Sequence, residues 1–488
     1  MASTLFAVDW NNQTVEYNTQ IQFNYPLHSY MLSAISEYSV STPKQVSTIN
    51  DEKDYATLLE FVIQDENSNS IFSFQKKQAY TTLYGVEGLF RPSSLIDKFT
   101  MNSQFKDDLK SGSYKGSGFL IHASKSFLMV DICLPSSDPL VMINFAKCSP
   151  TCHDLNLTTK NASSLDILIG LSNGEILVYC PLSNYFVRHN KSHHLSKSPV
   201  SSVRWLPASE ERFAAAFNDG IVAFLNCRSL QNLVAISETR VPKSMFQVRQ
   251  LPVGGFVETI YQFSSSESQK LFFSPDYEHL AIVSKSGIVR IIEHSTHKLC
   301  FSMKSFFGGY LSATWSFDGK YILLAGEDDC ITILDIQERT FVARCQGHKS
   351  FVSQVAFDPA TCGQNLYRFV SVGHDGFACF WEFSRENLRR PRSHSTVSML
   401  GKREKRRSLV NEEASERGFG QIEDIIQPMQ LDLIPIVEPV YFCRLLKEPL
   451  VGIAVKDSDF NILTSRCGVL VLERQDENRE NEEEDVKK

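Results

Sequence analysis

The 488-residue sequence has no apolar run near the roughly 18 residues that cross a bilayer, which leaves no expected membrane span. Its first residues, MASTLFAVDWNNQTVEYN, lack a basic stretch followed by an apolar one and carry Asp9 and Glu16, unlike a secretory signal. Without a sign of export, the twelve cysteines are read as reduced thiols, several of them small apolar members of strands (Cys133, Cys227, Cys300, Cys379). Positive charge is also short: the formal net charge of −7 leaves no general basic face for a phosphate backbone, so nucleic acid is an unexpected partner. No P-loop, dinucleotide glycine motif or paired catalytic carboxylates are present. The chain is therefore read as no enzyme, with no cofactor, no metal and no small-molecule substrate.

What is present is a period. From Phe306 to Phe383 two copies of one pattern follow each other: a glycine turn, an apolar strand, a D-G or D-P turn, a strand, an acidic turn, and a strand ending near Leu-Asp or Trp. About forty residues per copy is the repeat of a four-stranded propeller blade. Asp276, Asp318 and Asp358 recur at that spacing. Upstream, Gly118 to Lys147, the TCHDLNL and SLDILIGLSNGEILVYC segments, and Pro199 to Cys227 carry the same strand and turn signals, with Asn173-Gly174 and Asp219-Gly220 as hairpin turns. Residues 228–267 show little pattern and read as an exposed excursion.

The expected fold is all-β, a seven-bladed WD-repeat propeller whose ring is closed by an N-terminal strand, Tyr80 to Phe90, pairing with the C-terminal blade. Residues 1–79 are unassigned, 80–383 hold the closing strand and blades one to six, and 384–434 form a basic disordered insertion. The final blade occupies 435–473, and 474–488 form an acidic disordered tail.

Four residues form the most informative local set. In a WD-repeat blade a turn histidine bonds the acid of a later hairpin while Ser and Trp continue the chain of hydrogen bonds; His348, Asp375, Ser371 and Trp381 stand at those positions. They read as a structural network and not as a catalytic group, since no oxyanion-hole motif accompanies them. Neighbouring units are degenerate, with Gly308-Gly309 for Gly-His and Leu334-Asp335 for Trp-Asp. Cys148 and Cys152-His153 lack a second ligand pair and read as a turn between blades, not as a zinc or thiol site. Phe307 and Phe351 fall in corresponding turns, with Lys304 and Lys349 nearby. They are read either as one aromatic patch on a rim, the kind of anchor favoured at interfaces, or as rings packed beneath it. The run KREKRR (402–407) before Ser408 is a solvated loop, a nuclear-import signal or a kinase site; phosphorylation at Ser408 would add negative charge.

Several motifs resemble the family of WD repeat-containing protein 20, which includes the dystrophia myotonica WD-repeat protein and the fungal catabolite-repression WD-repeat proteins. They are PTCHDLNLT, LIGLSNGEILVYCPL, MKSFFGGYLSATWSFDGKYILLAGEDD and GHKSFVSQVAFDP, supported by VEGLF and EPVYFCRLLKEPL. The resemblance spans about 80–473. It implies a non-catalytic partner that binds and activates a ubiquitin-specific protease, alongside a second WD-repeat activator. The reduced thiols and the lack of an export signal point to the cytoplasm, with KREKRR as the ground for a nuclear alternative. The resemblance also implies that Phe307 and Phe351 match rim aromatics contacting the protease, Phe351 standing where Trp is familiar. The rival reading is a substrate receptor of a cullin-type ubiquitin ligase or a general scaffold. It lacks the Trp-Asp-x-Arg signature: Leu334-Asp335-Ile336-Gln337 and Trp381-Glu382-Phe383-Ser384 stand there.

Overall fold

A computed structural model describes residues 20–25, 28–37, 59–62, 95–388 and 419–475, apart from breaks at 112–116, 124, 132–138, 160–164, 182–184, 228–244, 252–255, 264–268, 364, 457–458 and 465–467. Among the described residues strands dominate, and the single α-helix, Ser103–Ser111, is far too short to cross a membrane. Asn102 caps it, its side-chain oxygen accepting from the N–H groups of Gln104 (2.9 Å) and Phe105 (3.2 Å).

The strands form seven sheets, antiparallel but for two short parallel additions. Successive sheets contain the strands Ser117–Ala123, Pro150–Leu155, Val200–Trp205, Gln269–Phe273, Tyr310–Trp315, Val352–Phe357 and Leu450–Lys456, each followed along the chain by an antiparallel partner. Consecutive sheets pack face to face. Leu168 and Val178 of the second meet Val203 and Phe213 of the third, and Leu323 and Ile333 of the fifth meet Val355 and Phe369 of the sixth. Such strands are covered on both faces, which is why Ile167–Leu171 and Cys330–Asp335 are buried along their whole length and are mostly apolar.

Polar side chains link the leading strands from sheet to sheet. Thr151 Oγ1 donates to Val200 O at 2.6 Å, Lys270 Nζ to Leu311 O at 2.5 Å, and Ser353 Oγ to Leu450 O at 2.6 Å. Between the first two sheets the buried rings of His122 and His153 meet Nδ1 to Nδ1 at 2.7 Å. One ring donates and the other accepts, so the accepting ring is neutral, and burial, which holds both groups well below the ordinary imidazole value, disfavours charge on the donor as well.

Four expectations change. The 228–267 stretch is no excursion: Met245–Gln250 and Val257–Phe263 complete the third sheet and bury Phe246, Tyr261 and Phe263. The seventh sheet does take an N-terminal strand, but it is His28–Glu37, paired along Gly468–Gln475; Tyr80–Phe90 lies outside the described residues. Parts of 1–79 are therefore structural, because Leu59–Val62 also pairs with the first sheet. Finally, 419–434 is ordered, and 435–446 is not part of the last sheet. This strap lays Phe419–Ile422, Ile425–Ile426, Ile436–Val437 and Tyr441–Arg444 along the outer edges of the third, fourth, fifth and sixth sheets. Its strands are too short to show a period, so their order comes from edges made elsewhere in the chain.

One ion pair holds the strap. Arg290 Nε reaches Glu423 Oε1 at 2.6 Å with both side chains 1% exposed, Ser302 Oγ donates to the same oxygen at 2.9 Å, and the guanidinium lies 4.4 Å from the Phe263 ring centre. Removing one partner of such a buried pair would leave an uncompensated charge, at a cost of about 3–5 kcal/mol.

Candidate protein-docking rim

The sixth sheet brings the four network residues together. His348 lies in the turn entering Val352–Phe357, and Asp375 in the hairpin between Tyr367–Gly373 and Phe377–Phe383. His348 Nδ1 is 3.1 Å from both Asp375 carboxylate oxygens, its Nε2 is 2.8 Å from Ser371 Oγ, and Trp381 Nε1 donates to the same hydroxyl at 2.8 Å. Burial pushes the Asp375 carboxyl upward, but the His348 hydrogen bond and the N–H groups of Lys349 and Phe377 outweigh it and hold the group below its ordinary range. Ser371 and Trp381 are fully buried. No substrate could reach that hydroxyl, so the group acts as a clasp.

The hairpin requires a glycine beside the clasp. Gly376 has φ +75°, and a Cβ there would stand 2.1 Å from Leu446 O.

Phe307 and Phe351 occupy corresponding connections, before Tyr310–Trp315 and before Val352–Phe357, at the end of the sheets that carries the Asp328 and Asp375 hairpins. They are 59% and 42% exposed, so neither ring is packed beneath the rim. Phe351 touches the His374 ring at 5.9 Å between centres. Lys304 and Lys349 are both exposed, and the Lys349 ammonium sits 5.9 Å from the Phe377 ring centre. Phe377 is a site residue the sequence reading missed: Arg444 also lies 5.9 Å from it and Phe442 touches it at 6.1 Å. Only the pairing of Tyr441–Arg444 with Phe377–Phe383 brings these side chains together. Ser408 lies outside the described residues.

The thiols offer no nucleophile at Cys152, where burial pushes the group up to about 12, and His153 is turned to His122. The donors of Asp276, Glu278 and His279 lie within 4.8 Å of one another, but they belong to a turn. There Asp276 accepts from Ser274 Oγ at 2.5 Å and from Glu278 N–H at 3.1 Å.

The family model "WD domain, G-beta repeat" matches residues 339–382, which makes this stretch a WD repeat. The match joins the outer strand of the fifth sheet to three strands of the sixth, so the repeat in sequence straddles two sheets in space. The chain is 31% identical over 319 residues to the UBP9-binding protein bun62 of Schizosaccharomyces pombe. That alignment covers 62% of this chain and spans about three-fifths, 59%, of the relative's length. Among solved structures, a chain of the crystal structure of the mitotic checkpoint complex superposes with a TM-score of 0.48 at 10% identity, over 72% of this chain and 86% of that one.

Proposed function

We propose that this chain is a non-catalytic WD-repeat scaffold that binds a ubiquitin-specific protease and raises its activity, as a member of the family of WD repeat-containing protein 20. The observation that carries the proposal is the similarity to a protein named for binding UBP9. In this reading the seven sheets are the blades of one closed propeller, with His28–Glu37 paired along Gly468–Gln475 in the last. Phe307 and Phe351, exposed on one rim and flanked by Lys304 and Lys349, are the contact residues. Aromatic anchors with a polar surround match the anatomy of interface centres. The clasp of His348, Asp375, Ser371 and Trp381 keeps the Phe351 turn in place from below. A second WD-repeat activator acts on the same protease, in the cytoplasm, with KREKRR as the segment that would carry the chain to the nucleus and Ser408 as a phosphorylation site.

Activation through binding needs higher affinity for the competent form of the protease; a tenfold population shift corresponds to about 1.4 kcal/mol. Purification of the full chain from its own cells should recover a ubiquitin-specific protease. The Phe307→Ala/Phe351→Ala variant should lose at least about 2 kcal/mol of affinity, roughly thirtyfold, and with it the stimulation of ubiquitin cleavage, while melting like the wild type. Unchanged stimulation by the double variant refutes the site. Recovery of a cullin adaptor without a protease refutes the function.

A further inference from the structure

Seven of the twelve large apolar side chains that stand exposed among the described residues lie in the strap between Ile426 and Phe442, so exposure of this kind is concentrated there. Its last part alternates. Ile436, Glu438, Val440, Phe442 and Arg444 are exposed, whereas Val437, Pro439, Tyr441 and Cys443 are half-buried. Tyr441–Arg444 is the final strand of the sixth sheet, and among the described residues no strand lies along its far edge. An exposed sheet edge with an outward row of apolar groups is a template for another strand.

The outward row is complementary to itself. In an antiparallel pair, directly opposed residues share a face. Laid antiparallel against a second copy about a twofold axis at Tyr441, the row puts Glu438 opposite Arg444 and Val440 opposite Phe442, and the same two pairs recur across the axis. Moving the axis to Phe442 sets Arg444 against Val440, and moving it to Val440 sets Glu438 against Phe442; both shifts lose the charge pairs. One register is therefore selected by charge.

We propose that this chain forms a weak symmetric homodimer along the 438–444 edge, Glu438 of each copy pairing with Arg444 of the other around a Val440–Phe442 centre. The side chains have room for it. Glu438, Phe442, Ile436, Pro439, Gln346 and Gly347 line an open recess of about 330 Å³ that can admit a guanidinium. Neither Glu438 nor Arg444 is in an ion pair among the described residues; Arg444 Nε donates to Leu446 O at 3.2 Å and its guanidinium flanks Phe377. Pro439 has no N–H to donate, which limits the ladder to the short strand, and a twofold contact closes on itself. The nine residues 436–444 span only about 30 Å when extended. Two such straps bury less than the roughly 1,200 Å² of a stable interface, so the dimer should dissociate on dilution. This inference does not rest on the proposed function.

Sedimentation equilibrium of the full chain up to about 100 μM tests it. The wild type should show a concentration-dependent rise toward twice the monomer mass. Glu438→Arg alone and Arg444→Glu alone oppose like charges and should each weaken the dimer at least about tenfold, and Glu438→Arg/Arg444→Glu together should restore it. Val440→Lys, which leaves the charge pairs in place, should also weaken it. All four variants alter exposed side chains, so their melting temperatures should match the wild type and any loss of dimer is then a loss of contact. A chain that stays monomeric throughout leaves the edge to a different protein and overturns the proposal. So do single reversals without effect, or a double variant no better than the singles.

Discussion

The fifth and sixth sheets are neighbours built from the same repeat, yet they are clasped by different chemistry. In the sixth, a turn carboxylate, Asp375, meets an imidazole, and a hydroxyl and an indole extend the chain inward. In the fifth, the corresponding turn carboxylate is Asp328, and Arg344 of the outer strand reaches it at 2.8 Å, with side-chain exposures of only 6% and 10%. Glu327 adds a second clasp by accepting from Gly309 N–H at 3.0 Å, where the repeat has no histidine. The second sheet pairs differently again: Arg188 grips Glu175, the residue just past the turn glycine Gly174, with two nitrogens. Between the fifth and sixth sheets the turn acid is the constant part of the device, and its partner is exchanged for another donor that reaches it.

The largest effect should come from breaking the fifth clasp. Arg344→Met leaves Asp328 buried without its cation and should cost about 3–5 kcal/mol, whereas Arg344→Met with Asp328→Asn should recover most of it. His348→Phe in the sixth sheet removes the bonds to Asp375 and Ser371 but leaves the carboxylate those from the Lys349 and Phe377 N–H groups, and should cost only about 1–3 kcal/mol. Urea denaturation measures both. Equal losses would end the distinction between the two clasps.

Acid should separate the imidazole pair of the first two sheets from the clasp of the sixth. Burial, with some repulsion from Lys270, holds His122 down at about 3, and burial pushes His153 well below its ordinary value. The unfolded chain takes up those protons below about pH 6.5 and the folded chain does not. Their contribution is complete above that pH and declines as pH falls toward 3, by about 1.4 kcal/mol per unit for each ring. Asp375, depressed in the fold, keeps its contribution until pH falls below about 4. Denaturation between pH 7 and 5 should therefore show a falling stability that His122→Leu/His153→Leu reduces, the buried and likewise depressed ring of His189 supplying a further share, and that Asp375→Asn leaves unchanged. A slope unaffected by the double leucine variant would locate the linkage elsewhere.

The smallest effect concerns the hairpin turns. Gly376 and Asp329 hold equivalent left-handed positions, with φ +75° and +59°. Asp329 is crowded: burial, Asp328 and Asp375 all raise its carboxyl. Asp329→Gly should leave the fold intact and stabilise it by about 0.5–1 kcal/mol in a thermal melt, since it relieves both the backbone and the charge. Destabilisation would mean that the carboxylate has a favourable contact that outweighs both.

The turns at Asp276, Asp318 and Asp358 were legible because each carboxylate serves contacts two or three residues away, and local chemistry leaves a local mark. Ser316 Oγ, for example, donates to Asp318 at 2.7 Å. The clasp residues were legible too, since His348, Ser371, Asp375 and Trp381 keep the spacing of their repeat. Phe377 was not, because its importance lies in Lys349 and Arg444, one of them 67 residues away along the chain. Glu423 read as one more charge in a charged insertion, and its burial depends on an arginine 133 residues distant.

The sequence by itself determined the strands, their turns and the forty-residue period, because these follow from alternation, glycine and side chains bonding their own neighbourhood. Only the tertiary structure decided what lies at the edges. His28–Glu37 pairs along Gly468–Gln475 in the last sheet, and 419–444 wraps four sheets instead of hanging free. An edge strand takes its order from unpaired groups on another part of the chain, and a few apolar residues with three prolines carry no period that announces which edge that will be.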